Sequence, residues 1–177
     1  VVVPYFKRYY VTNEYGLSME CEAPKSAAPN LGNVMYEYCN FIHTDMEDIM
    51  KGRVTPNWID DLQENEVFVF GSNLAGMHGG GAARVAHRRF GAIMGKGVGM
   101  QGRSYAIPTM QGGTETIRPY VDDFITYAKE HPELTFLVTP IGCGIAGFEP
   151  EDIAPLFKEA CNVSNICLPE SFWKELD

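Results

Sequence analysis

The sequence predicts an α/β fold on a mixed, largely parallel sheet. Short apolar runs of strand length alternate with stretches of helical period. Two of those runs end in glycine loops that open onto helices. The runs are apolar without alternation, the mark of strands covered on both faces. Covering both faces with helices gives a three-layer α/β/α sandwich, to which an N-terminal extension is added.

Val67-Phe-Val-Phe70 reads as a central buried strand ending at Gly71. The loop 71–81 follows, and then Ala82, Val85, Ala86 and Phe90 recur at helical spacing. A second glycine segment, 95–102, leads into Ser104–Pro108, an expected strand. Ile117, Val121, Phe124, Ile125 and Ala128 form one helical stripe, with Thr116 as its expected cap and His131-Pro132 as its end. Leu134–Thr139 is another apolar strand, closed by the glycine turn 142–147. Ile153, Leu156, Phe157 and Ala160 predict a last amphipathic helix, opened by Pro150 or Asp152. Asn165–Leu168 fits a short strand, and Trp173 an anchor for the tail. Residues 1–60 differ in character, being rich in Tyr and in Ala-Pro turn signals; short helices are expected at 45–50 and 56–63, with Trp58 as a packing residue. The chain therefore divides into an extension or edge element, 1–60, and a main domain, 61–177.

The length of 177 residues and 45% hydrophobic content suffice for a folded core and exclude disorder as the main state. No apolar run approaches the ~20 residues of a membrane-spanning helix. Val1-Val-Val3 is too short for a signal h-region, so a cytoplasmic location is expected. Five cysteines without CxxC spacing and four scattered histidines argue for reduced thiols, no metal and no resident cofactor. The net charge of −9 disfavours general nucleic-acid or membrane binding. The charge is uneven, however. Val67–Thr114 holds no acidic residue but carries Arg84, Arg88, Arg89, Lys96 and Arg103, as if for a local anionic ligand.

Twelve of the 18 glycines lie in that same stretch, and three more in 142–147. A glycine triplet opening a helix exposes unpaired N–H groups at the positive end of its dipole, a ready site for phosphate. The loop is no Walker motif, because Lys96 is followed by Gly97. Nor is it a dinucleotide fingerprint, because Arg84 holds the third glycine position. Candidate binding residues are Gly71, Ser72, Asn73, Gly79, Gly80, Gly81 and Ala82 in the first loop. In the second they are Gly142, Cys143, Gly144, Ile145, Ala146, Gly147 and Phe148, the last placed to stack on a sugar or base. Two such loops at one sheet edge can grip a diphosphate from both sides. Asn73 can orient a water or a sugar hydroxyl, and His78, between it and the triplet, is the candidate acid/base.

In this order the motifs resemble the macro domains, which bind ADP-ribose. The likeness covers about residues 65–170 and is nearest to small phage and bacterial macro-like proteins with FGSNLAG and IGCG-AG motifs. It implies an ADP-ribose or related nucleotide ligand, with Asn73 and Phe148 at the distal ribose and Gly79–Gly81 and Gly142–Gly147 at the phosphates. It further implies hydrolysis of ADP-ribose 1″-phosphate or of ADP-ribosyl conjugates. The alternatives are a non-catalytic reader of ADP-ribosylated macromolecules and a Rossmann-like nucleotide-processing protein. Two positions depart from the family pattern. Ala82-Ala83 stand where hydrolytic members often carry Asp, and the nearest counterpart of the adenine-reading Asp is Asp45.

Overall fold

A computed structural model describes residues 52–176 and, before them, only the backbones of β1 (Phe6–Thr12) and β2 (Ser18–Pro24). The chain forms two units, Val1–Gly52 and Arg53–Asp177. In the first, β1 and β2 pair antiparallel, with Phe6 opposite Pro24. The helix expected at 45–50 lies outside the described residues, as does Asp45.

The second unit begins upstream of the expected boundary at 61, because β3 (Val54–Thr55) joins its sheet. The other strands are β4 (Glu66–Ser72), β5 (Gly99–Gln101), β6 (Ser104–Pro108), β7 (Thr135–Val138) and β8 (Ile166–Pro169). Their order is β3-β8-β7-β4-β6-β5. All neighbours are parallel except β5 and β6. The fold is α/β with a mixed, mostly parallel sheet. Val67 to Phe70 of the central strand are each at most 3% exposed, as a run without polar alternation requires.

The helices are α1 (Gly81–Arg89), α2 (Thr114–Glu130), α3 (Pro150–Ile153) and α4 (Glu170–Leu176). Phe68 and Phe70 pack in one cluster with Ala83, Ala86 and Phe90, from α1 and its C-terminal end. Tyr105 and Phe136 instead meet Phe124 of α2, at ring-centroid distances of 5.1 and 5.5 Å.

Four local expectations change. The segment 56–63 is irregular rather than helical, and Trp58 is 81% exposed rather than packed. Asp61 bonds the Leu62 N–H at 2.9 Å, a local competitor of the helical ladder. α2 starts at Thr114 behind Gly113, and Thr116 donates back to the Gly113 carbonyl at 2.7 Å instead of capping. The last amphipathic helix is a single α turn with a Glu149–Asp152 capping box, continued as a 3₁₀ helix, Ala154–Asn162. Pro155 has no N–H to offer the Glu151 carbonyl, so the α ladder stops there.

Trp173 is buried and donates to the Arg53 carbonyl at 3.1 Å. The Arg53 guanidinium lies 5.2 Å from the indole centroid. It donates to the carbonyls of Ile166, Cys161 and Ala160 at 3.0, 2.9 and 2.8 Å. One side chain thus ties the chain entry, β8 and the 3₁₀ helix together.

Candidate functional site: an amide-lined cleft

The connection after β4 leads towards β6, whereas the connection after β7 leads to β8 on the other side. The gap between β4 and β7 is therefore a topological switch point, where open α/β sheets bind ligands. Both glycine loops leave from this gap. They are neighbours: a Cβ added at Gly71 would lie 3.4 Å from the Gly142 nitrogen, and one at Gly80 would lie 3.1 Å from Ile145 Cδ1.

Between the loops lies a cleft of about 200 Å³. It is lined by Gly71, Ser72, Asn73, Met77, Gly80, Gly81, Ala82, Ala83, Thr109, Met110, Thr139, Pro140, Ile141, Gly142, Gly144, Ile145 and Ala146. None of these side chains is charged. What the walls offer is main-chain N–H. The first helical bond of α1 runs from Arg84 N to Gly80 O at 3.1 Å, so the amides of Gly81, Ala82 and Ala83 have no intrahelical acceptor. α1 has neither a side-chain cap nor an acidic residue in its first turn. The amides of Gly144, Ile145 and Ala146 likewise have no acceptor among the described residues. Six amides without acceptors on the residues that line a neutral cleft favour an anion with several oxygens. Met77, Met110 and Ile145 are exposed around the rim, giving the amide floor an apolar border.

The first loop is held from below by backbone packing. A Cβ on Gly97 would fall 2.1 Å from the Asn73 carbonyl oxygen, so only glycine lets the 95–97 segment pass beneath. Ser72 Oγ donates to the Gly97 carbonyl. Buried Gln101 accepts from Ile93 N at 2.6 Å and donates to Lys96 O at 3.0 Å.

Ten of the candidate residues line the cleft: Gly71, Ser72, Asn73, Gly80, Gly81, Ala82, Gly142, Gly144, Ile145 and Ala146. Asn73 is also structural, since its Nδ2 donates to Met77 O at 2.9 Å and its Oδ1 accepts from Met77 N at 3.0 Å. Gly79, Cys143, Gly147 and Phe148 are not in the lining. Phe148 packs against the second loop itself, where a Cβ on Gly142 would touch its ring at 3.3 Å. The Cys143 thiol is pushed up to about 11, chiefly by burial and then by Glu149 and Asp152.

His78 requires a larger correction. Its side chain is 1% exposed and stands edge-on to Phe70, 5.2 Å between centroids. Nε2 donates to the carbonyls of Ile93 and Lys96, both at 3.1 Å, which leaves Nδ1 without a partner. His78 pins the 93–96 segment under the loop and does not face the cleft. The sequence reading missed Met77, Ala83, Thr109, Met110, Thr139, Pro140 and Ile141 as lining residues. Thr109 and Met110 directly follow the apolar run Ser104–Pro108, and that position past a strand end was the available signal.

A wider groove of about 650 Å³ adjoins the cleft and shares Gly81, Ala82, Thr139 and Pro140 with it. Its other walls include Trp58, Ile59, Asp60, Phe68, Arg84, Val85, Arg88 and Arg89. Among the described residues no group of His, Cys, Asp and Glu could hold a metal, and no helix is long and apolar enough to cross a membrane. No family model matches the chain, and no curated protein or solved structure matches it.

Proposed function

We propose that the protein binds ADP-ribose or a related nucleotide diphosphate sugar, with the diphosphate between the two glycine loops. One observation carries this reading: Gly81–Ala83 and Gly144–Ala146, whose amides have no acceptor among the described residues, line one cleft free of charged side chains. A diphosphate has oxygens enough for donors on both walls, and neutral donors leave no buried cation behind when the ligand departs. The apolar rim of Met77, Met110 and Ile145 suits the face of a sugar. We further infer a three-layer α/β/α sandwich of macro-domain type. The motif resemblance supports it, as does α1 packing on Phe68 and Phe70 while α2 packs on Tyr105 and Phe136.

No side chain lining the cleft is an acid or base that titrates near neutral pH. This favours a reader of ADP-ribosylated partners over a general acid/base hydrolase. Hydrolysis is the second reading, supported by Asn73 in the cleft wall, where its amide could orient a water once released from Met77. Calorimetric titration with ADP-ribose tests the binding. Saturable binding that is lost in Gly80→Val, which adds bulk against Ile145, is the expected result. No heat at millimolar ligand overturns the reading. Phosphate release from ADP-ribose 1″-phosphate tests the second reading, and equal rates in the wild type and Asn73→Ala reject it.

A further inference from the structure

The groove beside the cleft has a chemistry of its own. Trp58 stands 81% exposed at its wall, so most of its indole is open to solvent. Opposite lies the outer face of α1 with Arg84, Arg88 and Arg89. Arg89 is occupied, pairing with Asp60 at 2.9 Å, and this pairing also neutralises the acid nearest the groove. Lys96 and Arg103, the remaining cations of the acid-free stretch, are tied to backbone carbonyls. The guanidiniums of Arg84 and Arg88 have no hydrogen bond or ion pair among the described residues, and both residues are exposed. They stand one helical turn apart, about 6 Å between Cβ atoms, comparable to one step along an extended sugar–phosphate backbone.

We propose that this groove binds single-stranded nucleic acid, with Trp58 stacking on a base and Arg84 and Arg88 on successive phosphates. An exposed aromatic beside a short cationic row is the general recipe for sequence-tolerant single-strand binding. The groove is about three times the cleft's volume, roughly 650 against 200 Å³, more than the base of a mononucleotide needs. Its two free guanidiniums are in addition to the amides that would hold a diphosphate. A duplex is the poorer fit, since its bases are stacked already and offer Trp58 no open face. The net charge of −9 confines the interaction to this patch, so the site is local rather than a general nucleic-acid surface. The proposal goes beyond the function above and does not depend on which ligand the cleft takes.

The test is fluorescence anisotropy of the full chain with a labelled oligothymidylate of about ten nucleotides, titrated between about 50 and 200 mM salt. Binding is expected to weaken with salt at a slope of roughly −1.4, two phosphates at ~0.7 each. Trp58→Ala is expected to weaken it about tenfold, with Trp58→Phe recovering most of the loss. The double variant Arg84→Ala/Arg88→Ala should flatten the slope, and a hairpin duplex should bind more weakly. All these side chains are exposed, so the variants are expected to keep the wild-type melting temperature. No anisotropy change at ~100 μM protein in low salt overturns the proposal. So does wild-type affinity in Trp58→Ala. Displacement of the oligomer by polyglutamate at equal charge would assign the groove to an acidic protein. Equal competition by thymidine monophosphate would assign it to a single nucleotide. Either result rejects the proposal. Loss of ADP-ribose binding in Gly80→Val with oligomer binding intact keeps this test separate from that of the cleft.

Discussion

Cys143 lies between two glycines of the second loop, yet its chemistry is set by what covers it. Its Sγ is within 3.5 Å of the Ile141 carbonyl oxygen, and burial raises its pKa from 9.0 to about 11. The thiol therefore stays protonated through neutral pH, and only the thiolate is reactive. Alkylation of Cys143 by iodoacetamide, followed by peptide mass mapping, is expected to rise with a midpoint near 11 in the folded protein. In urea the midpoint should return to about 9; a folded midpoint at or below that value would refute the assignment. Asn73 was legible at this scale because it directly follows a strand that is plain in the sequence. The role of His78 was not, because the carbonyls that receive its Nε2 belong to Ile93 and Lys96, across a loop whose return path no local pattern encodes.

At the level of elements, legibility followed the agreement of period with burial. Val67–Phe70 and the stripe of α2 declare themselves because each of those side chains is buried. β3 does not, since a strand of two residues has no period, and its partner β8 lies at the far end of the chain. Arg53 enters the same corner. Its fork serves three carbonyls at once, which a lysine ammonium cannot reproduce in plane. Arg53→Lys is expected to lower unfolding stability by about 2–3 kcal/mol in urea, since it leaves part-buried carbonyls unpaired. A change under about 0.5 kcal/mol would show that water replaces the fork.

Across the molecule, the strand order was the least legible property. Composition and periodicity identify strands but not their neighbours, and the placement of β7 beside β4 is what brings the two loops together. Tyr105 in β6 also sets an alkaline limit on stability. Burial, then Asp123 and Tyr127, push the Tyr105 phenol up from 10.0 to about 12. The folded chain thus keeps a proton that the unfolded chain gives up. The contribution of Tyr105 is intact below about pH 10 and is lost as pH rises towards about 12. Urea midpoints measured across that window should fall less steeply in Tyr105→Phe than in the wild type. Parallel slopes would mean that another group sets the limit.

On the proposed reading, the cleft addresses its guest through atoms common to every amino acid. Truncating the larger side chains of its walls to alanine would therefore give a nearly flat profile of affinities, because truncation leaves the peptide groups in place, whereas alanine at the glycines adds matter. The informative replacements are those that add matter, and a lineage could rewrite much of this lining without losing the guest, provided the course of the chain did not change.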